Sequence, residues 1–343
     1  DRDPEMLKQV ESHTDLLTIE GSSTYIYTLK EANVKNADLM IAVTNSQAVN
    51  TLTAILAKNL GAKKTIARIH HSEYQDQKDR DAFKNLGIDH MIYPEELAAS
   101  EITGLLKETE ATDVFEFSGG KLVMLVLKLE ENTPIIDMTL RQIALENPHL
   151  NFRAVAIHRD SQTIIPTGIE KFLAGDLVCV LTHPKGIEKI KDYIGKRKKM
   201  KMQNIMILGG SRIGIKTAKK LEGHGNIKLI EMNKEKSFEL ADKLKNTLVI
   251  NGDGRNVELI TEEGINNMDA FIAVTGNSET NILSCVLAKK YGVKKTIALI
   301  ENIDYIDIAQ KMGVDTLINK KMIAASHIFQ YTMKAEVKEL KYL

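Results

Sequence analysis

A glycine-rich heptapeptide, LGGSRIG at residues 208–214, stands between an apolar run and an amphipathic segment. In a dinucleotide-binding turn the first glycine makes the tight bend, the second admits the pyrophosphate, and the third lets helix and strand approach closely. Gly209 and Gly214 occupy the first and third positions, whereas Ser211 occupies the second. Serine is small, so a phosphate can still approach, although it binds more weakly. The spacing predicts a phosphate cradle at the positive end of a helix dipole.

An acidic residue is expected about 20 residues beyond such a turn, where it binds the ribose hydroxyls. Glu231 occupies that position, at the end of the next apolar run. An acid there favours an unphosphorylated ribose, because it repels a 2′-phosphate. The glycines, the flanking strand and helix, and the acid together predict a nucleotide site. A tight turn without a ligand is the alternative.

Polar loops after two later apolar runs complete the predicted cleft. NGDG at 251–254 follows the third predicted strand, and TGN at 275–277 follows the fourth. The corresponding loops in the first half of the chain are EGS at 20–22 and TNS at 44–46. Ligands of open α/β sheets bind outside the carboxyl ends of the strands, so these loops are expected to face a cleft. Ordinary helix capping by Thr, Asn or Ser is the alternative, and it is compatible with ligand contact.

The chain contains one domain type twice. Residues 37–67 match residues 268–298 without a gap, sharing the strings IAVT and KKTIA, and Asn50 matches Asn281. Each copy alternates predicted strands and helices, which indicates an α/β fold: two Rossmann-like, doubly wound parallel-sheet domains separated by a small α+β module. In the second copy we predict strands at 204–208, 227–230, 248–250, 270–274 and 296–300 and helices at 215–222, 234–245 and 279–291.

The segment between the copies is predicted to be the small α+β module. Its predicted strands are 121–130, 152–158, 163–166 and 177–181, and its helix is 138–146. The counterpart of residues 203–230 is missing from the first copy, so we expect a fragment cut at both ends; a degenerate first domain is the alternative. The predicted domains are the first Rossmann-like domain at 1–112 (lacking its first strand and glycine loop), the small module at 113–186, a linker at 187–202, the second Rossmann-like domain at 203–333 and the start of another small module at 334–343.

Composition narrows the class of protein. The 343 residues include 46 Lys and Arg and 46 Asp and Glu, and this zero net charge argues against binding of nucleic acid. Cys179 and Cys285 are far apart, which fits a reducing compartment and no metal-spaced pair. The longest apolar runs, such as 122–127, are too short to span a bilayer. The sequence therefore predicts a cytoplasmic protein.

These motifs resemble the potassium-regulatory nucleotide-binding domain called RCK or KTN. AVAIHRD at 154–160, TIIP at 163–166 and AGDLV at 174–178 resemble the small module that follows such domains. Two such pairs in one chain are the arrangement of the cytosolic regulators of Trk potassium uptake systems. The resemblance implies NAD or NADH, with ATP or ADP as alternatives, and a homo-oligomeric ring of RCK domains. It also implies a TrkH-like membrane potassium transporter as partner, at the inner face of the cell membrane.

The resemblance also implies roles for individual residues. Arg68 stands where the family often has arginine, whereas the second copy has Leu299 there. The implied nucleotide contacts are Gly209, Gly210, Ser211, Arg212, Ile213 and Gly214 for the phosphates, Glu231 and first-copy Asp1 for the ribose, Asp253 beside the adenine, and Thr275 and Thr44 at the fourth-strand ends.

Two rival functions remain. A dehydrogenase needs a substrate pocket and an acid or base near the nicotinamide, but His70, His71 and His158 form no evident dyad with a partner. We therefore predict no catalytic residue, no metal site and no enzyme activity. An interaction module without a nucleotide is the other rival, and it does not explain the spacing of Glu231. The most informative single experiment is a titration with NADH, NAD, ATP and ADP.

Overall fold

A computed structural model describes residues 1–70, 74, 76–107, 113–117, 121–131, 133–149, 151–159, 162–193, 202–329 and 331–332. The chain divides into two compact units. One contains Asp1–Glu95 and the described residues of Lys321–Leu340, and the other contains Glu96–Lys320. The predicted final segment, 334–343, and residues 194–201 of the predicted linker lie outside the described residues.

The first copy has a three-stranded parallel sheet in the order β1-β2-β3. Among the described residues no strand pairs with the other edge of β1, so Val43 just after it is 46% exposed, whereas its repeat counterpart Val274 is fully buried. The elements are α1 (Pro4–His13), α2 (Ile26–Glu31), β1 (Leu39–Ala42), α3 (Gln47–Leu60), β2 (Lys64–Arg68), α4 (Gln77–Asn85), β3 (His90–Ile92) and α5 (Pro94–Lys107).

The small module is an antiparallel sheet in the order β4-β5-β8-β6-β7. Helices α6 and α7 pack against the core of this sheet. Its core packs Leu125, Leu127, Phe172 and Val180 together. The predicted strands and helix are present, but the sequence did not reveal β4, because two of its five residues are acidic. The elements are β4 (Asp113–Phe117), β5 (Leu122–Lys128), α6 (Leu140–Glu146), β6 (Phe152–Arg159), β7 (Gln162–Ile164), β8 (Leu177–Thr182) and α7 (Ile187–Tyr193).

A buried ion pair holds one end of this module. The guanidinium of Arg159, at the end of β6, donates from Nε and Nη2 to the two carboxylate oxygens of Asp176 at 2.7 and 2.8 Å. The backbone N–H of Leu173 donates to the same carboxylate at 2.8 Å. The Asp176 side chain has no exposed surface, so these donors compensate its desolvation. The pair ties β6 to the loop that leads into β8.

The second copy is a six-stranded parallel sheet in the order β11-β10-β9-β12-β13-β14. The elements are β9 (Asn204–Leu208), α8 (Arg212–Leu221), β10 (Asn226–Glu231), α9 (Lys234–Lys243), β11 (Thr247–Asn251), α10 (Val257–Glu262), β12 (Ala270–Ala273), α11 (Ser278–Lys290), β13 (Lys295–Leu299), α12 (Ile306–Lys311), β14 (Thr316–Ile318) and α13 (Lys320–Phe329). Successive strands are added to one side of β9 as far as β11 and then to its other side from β12 onward. Doubly wound sheets bind ligands at this switch point between β9 and β12.

The predicted α/β fold class is confirmed, and each predicted strand of the second copy overlaps an observed one. Helix α8 begins at Arg212, three residues before the predicted start at 215, because Ser211 caps it. The short elements β14, α10 and α12 were not predicted. Among the described residues, every helix is too short or too polar to cross a bilayer.

Candidate functional site

The glycine-rich turn follows β9, and its first and third glycines are required by geometry. Gly209 has a φ of +104°, and a Cβ on it would lie 3.0 Å from the backbone nitrogen of Thr275. A Cβ on Gly214 would lie 2.1 Å from the carbonyl oxygen of Gly209. Any side chain at Gly214 would therefore separate α8 from the turn. The predicted residues Gly209, Gly214 and Thr275 are brought together at the switch point of the sheet.

The first turn of α8 holds the remaining residues of the predicted phosphate loop. Ser211 is the N-cap, and its hydroxyl accepts the N–H of Gly214 at 3.2 Å. Arg212 is exposed, whereas Ile213 is buried in the core, so only its backbone can face a ligand. First-turn N–H groups have no acceptor within their own helix. Those of Arg212 and Ile213 are thus suited to a phosphate.

Glu231 ends β10 beside the glycine turn. Its Oε2 accepts the N–H of Gly210 at 3.0 Å, and its Oε1 accepts the N–H of Asn233 at 2.9 Å. The ammonium of Lys236 lies 2.9 Å from Oε2. Burial raises the pKa of Glu231, but the Asn233 N–H, Lys236 and the Gly210 N–H outweigh burial, so the pKa lies below its usual value. The carboxylate is ionised and held against the glycine turn.

The NGDG loop lies next to Glu231, because the N–H of Gly252 donates to the Glu231 carbonyl at 3.0 Å. Asp253 does not stand alone there. The guanidinium of Arg255 lies 2.7 Å from its Oδ2, and the hydrogen bonds from Arg255 lower the pKa of Asp253. The predicted adenine-side acid is therefore half of an ion pair on the rim of the cleft.

A buried asparagine joins the strand ends below the cleft. The Oδ1 of Asn281, on α11, accepts the N–H of Thr275 at 2.9 Å and its hydroxyl at 2.7 Å. The Asn281 amide donates to the carbonyls of Thr275 at 3.2 Å and Leu299 at 2.8 Å. Asn281 thus ties the end of β12 to the end of β13. Sequence reasoning aligned Asn281 with Asn50 but assigned neither a role.

The first copy repeats this arrangement. The Oδ1 of Asn50 accepts the N–H and the hydroxyl of Thr44, each at 2.7 Å, and the amide donates to the carbonyls of Thr44 and Arg68, each at 3.0 Å. Helix capping, the alternative weighed for these loops, is also present: Ser46 caps α3 and Asn277 caps α11. Thr44 and Arg68 are thereby linked through one side chain.

Asp1 occupies the position in the first copy that Glu231 has in the second. The N–H of Gly21 donates to the Asp1 carbonyl at 2.7 Å, as that of Gly252 does to Glu231. The Asp1 carboxylate accepts the N–H of Asp3 at 3.1 Å, which matches the contact between Glu231 and Asn233. The glycine turn that would face this acid has no counterpart in the described part of the first copy.

Arg68 belongs to a buried charged cluster at the end of β2. Its guanidinium lies 3.8 Å from the carboxylate of Glu95, and the ring Nδ1 of His70 lies 3.3 Å from that carboxylate. The Nε of Arg68 is buried without a hydrogen-bond partner. His70 is therefore engaged with Glu95, and His71 lies outside the described residues. Sequence reasoning did not identify Glu95.

Glu96 of α5 forms ion pairs with two lysines of α8. The carboxylate oxygens of Glu96 lie 2.8 Å from Nζ of Lys216 and 2.7 Å from Nζ of Lys220. Burial raises the pKa of Glu96, but the two lysines together lower it by more than burial raises it. The pKa therefore lies below its usual value. The helix that begins at the glycine turn is thus fixed one and two turns from its start.

The groups at this site fit an adenosine nucleotide. A pyrophosphate and a ribose require the close approach of helix and turn that Gly209 and Gly214 permit, free first-turn N–H groups and an ionised acid such as Glu231. Within the described residues no cluster of His, Cys, Asp and Glu could hold a metal ion. Burial raises the pKa of the Cys285 thiol, so this cysteine is an inert core residue.

Two family models match the chain, one on the two copies and the other on the small module between them. The TrkA-N domain model matches residues 1–94 and 205–320, and the TrkA-C domain model matches residues 124–195.

Among solved structures, three similar ones are of one protein. A crystal structure of the GsuK RCK domain has a TM-score of 0.68 at 16% identity and covers 96% of this chain and 70% of its own. The GsuK channel bound to NAD has a TM-score of 0.67 at 16% identity, with coverage of 96% and 58%. GsuK bound to ADP has a TM-score of 0.59 at 14% identity, with coverage of 99% and 62%. These similarities show the fold.

Curated relatives extend over the whole chain. Trk system potassium uptake protein TrkA of Vibrio alginolyticus is 32% identical over 340 residues, which cover 98% of this chain and 74% of the relative. TrkA of Haemophilus influenzae is also 32% identical, over 348 residues, with coverage of 100% and 75%. With both copies and the module between them matched in this way, the chain belongs to the TrkA family of potassium uptake proteins.

Proposed function

We propose that this chain is a regulatory subunit of a potassium uptake system and that its second copy binds NAD or NADH, with ATP or ADP as competing ligands. The observation that carries the proposal is the contact of Glu231 with the Gly210 N–H, within a turn whose glycines let α8 approach the end of β9 closely. Family membership supports the link to potassium uptake, since the relatives are named Trk system potassium uptake proteins.

The phosphates contact the backbone of Gly209, Gly210 and Ser211 and the first-turn N–H groups of Arg212 and Ile213. Gly214 lets α8 approach the turn, and Glu231 binds the ribose hydroxyls. Asp253 lies beside the adenine, and Thr275 contacts the nucleotide at the end of the fourth strand. In the first copy Asp1, Thr44 and Arg68 have the corresponding roles when a glycine turn faces them.

The ligand acts by regulation rather than by chemistry. A ligand shifts a protein between two conformations only by the difference in its affinity for them, and coupling free energies are typically about 1–3 kcal/mol. Several linked sites therefore make a sharper switch, which a homo-oligomeric ring of such domains supplies. The partner is a TrkH-like potassium transporter at the inner face of the cell membrane. The proposed boundaries are 1–112, 113–186 and 203–333 for the three domains, 187–202 for a linker whose first residues form α7, and 334–343 for the start of another small module.

An NAD-dependent oxidoreductase is the alternative. The cleft described above contains an ionised acid that is already bonded, and His70 is bonded to Glu95. We expect no substrate-dependent oxidation of NADH by the pure protein. Sustained turnover that one substitution in the cleft abolishes would favour the oxidoreductase.

Gly214→Ala tests the site. The Cβ of the alanine would lie 2.1 Å from the Gly209 carbonyl oxygen unless the backbone moved. Accommodating such overpacking costs about 1–3 kcal/mol of stability. Because α8 must then move from the turn, we expect NADH affinity to fall at least about tenfold, a loss of roughly 1.4 kcal/mol, in a fluorescence titration. Gly104→Ala is the matched control, since a Cβ there meets nothing within 4 Å.

The control should bind NADH as the wild type does. If Gly214→Ala folds, as judged by circular dichroism, and binds NADH with unchanged affinity, the ligand is not at this turn.

A further inference from the structure

The carboxylate of Glu231 has most of its acceptor positions filled. It accepts N–H groups from Gly210 and Asn233, and Oε2 also contacts the ammonium of Lys236 at 2.9 Å. A carboxylate offers about four acceptor positions. One position is left, whereas a ribose that presents both its 2′- and 3′-hydroxyls needs two. The two backbone donors are fixed by the turn and by α9, so Lys236 is the donor that a ribose can displace.

Lys236 also changes the charge at this end of the cleft. Glu231 alone would repel a 2′-phosphate, but its charge is compensated by Lys236. On the adjoining loop Asp253 is compensated by Arg255. The adenosine end of the cleft therefore carries two paired acids and no net negative charge, so the usual reason for exclusion of a 2′-phosphate is missing.

The Lys236 side chain can reach either ligand position. Its backbone is held because its N–H donates to the N-cap side chain of Asn233 at 2.9 Å, but 44% of its side chain is exposed. The stem is thus fixed while the ammonium can move. With an unphosphorylated ribose the hydroxyls replace the ammonium on Glu231, and with a 2′-phosphorylated ribose the ammonium donates to the phosphate.

We propose that Lys236 determines the ribose specificity of the second-copy site and that this site accepts 2′-phosphorylated as well as unphosphorylated adenine dinucleotides. This inference rests on the proposed nucleotide-binding function. It revises the expectation from sequence that Glu231 restricts the site to an unphosphorylated ribose.

The test compares NADPH with NADH in fluorescence titrations of the full chain at low salt. For the wild type we expect dissociation constants that differ by less than about tenfold. Lys236→Met removes the charge-assisted bond to a 2′-phosphate, a contact worth about tenfold in affinity or more. NADPH should therefore bind at least about tenfold more weakly to this variant, whereas NADH binds as tightly as before or more tightly, because no ammonium has to leave Glu231.

Two further variants control the comparison. Lys236→Arg keeps the charge and should retain the wild-type ratio of affinities. Lys234→Met removes an exposed lysine from the same helix and should leave the ratio unchanged. Circular dichroism of each variant establishes that α9 and the sheet are intact.

Each outcome decides the question. Equal weakening of both ligands by Lys236→Met would mean that Lys236 only holds Glu231 in place, and it would overturn the inference. An unchanged ratio, or a wild type that binds NADH but not NADPH, would also overturn it while leaving the proposed function intact. A wild type that binds neither ligand would overturn both.

Discussion

Replacement of Asn281 by alanine should loosen the floor of the cleft. The side chain is 1% exposed and makes four hydrogen bonds that tie the ends of β12 and β13 together. Alanine removes all four and leaves the Leu299 carbonyl, which the amide contacts at 2.8 Å, in a buried position. The turn at Thr275 would lose its support against Gly209.

The expected cost follows from where each lost partner lies. Thr275 is only partly buried, so water can replace its lost bonds at small cost. Leu299 is 4% exposed, and a buried carbonyl without a partner costs about 1–3 kcal/mol. With the lost packing of the side chain, we expect Asn281→Ala to lower the free energy of unfolding by about 3 kcal/mol.

The assay is urea unfolding followed by far-ultraviolet circular dichroism, because the chain has no tryptophan. The first copy supplies a comparison: Asn50→Ala removes the corresponding four contacts but should cost less, because Arg68, whose carbonyl takes the place of that of Leu299, is only partly buried. Asn59→Ala, on the exposed face of α3, is the surface control and should change stability by less than about 0.5 kcal/mol. NADH affinity should fall in Asn281→Ala but not in Asn50→Ala, since the described part of the first copy has no glycine turn.

If Asn281→Ala unfolds within 0.5 kcal/mol of the wild type, a margin of about the size expected for surface changes, water or relaxation replaces the contacts and the assigned role is wrong. If stability falls but NADH binding is equally weakened in both variants, the hydrogen bonds of Asn281 do not act locally on the second-copy cleft.

The remaining predictions concern two acidic residues that form ion pairs. Asp176→Asn should destabilise the small module by about 3 kcal/mol, because Arg159 loses a buried partner, and thermal unfolding would measure this; an unchanged melting temperature would contradict it. Glu96→Gln should cost about 1 kcal/mol at pH 7, since Lys216 and Lys220 lose their shared carboxylate. The folded-state pKa of Glu96 lies below its usual value, so its stabilisation is present above the unfolded pKa and is lost as pH falls through the folded pKa. Urea midpoints of variant and wild type should therefore converge in acid, and a gap independent of pH would refute the ion-pair role.

Much of the fold could be predicted because its signals are local. The second-copy strand expected at 204–208 is β9, and all the remaining predicted strands overlap observed ones. In the second copy this is because buried parallel strands are continuous apolar runs. The repeat predicted the equivalence of Asn50 and Asn281 but not their function. Helix starts were less certain: Ser211 was interpreted as a glycine substitute, whereas its hydroxyl caps α8. That choice depends on the direction of one side chain, which spacing does not contain.

The sequence by itself determined where the cleft lies. Gly209, Gly214 and Glu231 could be located from spacing, because a tight turn, a close helix and an acid at a strand end are requirements of the local chain. Only the tertiary structure decided what surrounds them. It places the ammonium of Lys236 on the Glu231 carboxylate and the amide of Asn281 between two strand ends. Such contacts depend on which groups separate elements bring within about 3 Å of each other, and neither periodicity nor composition encodes that distance.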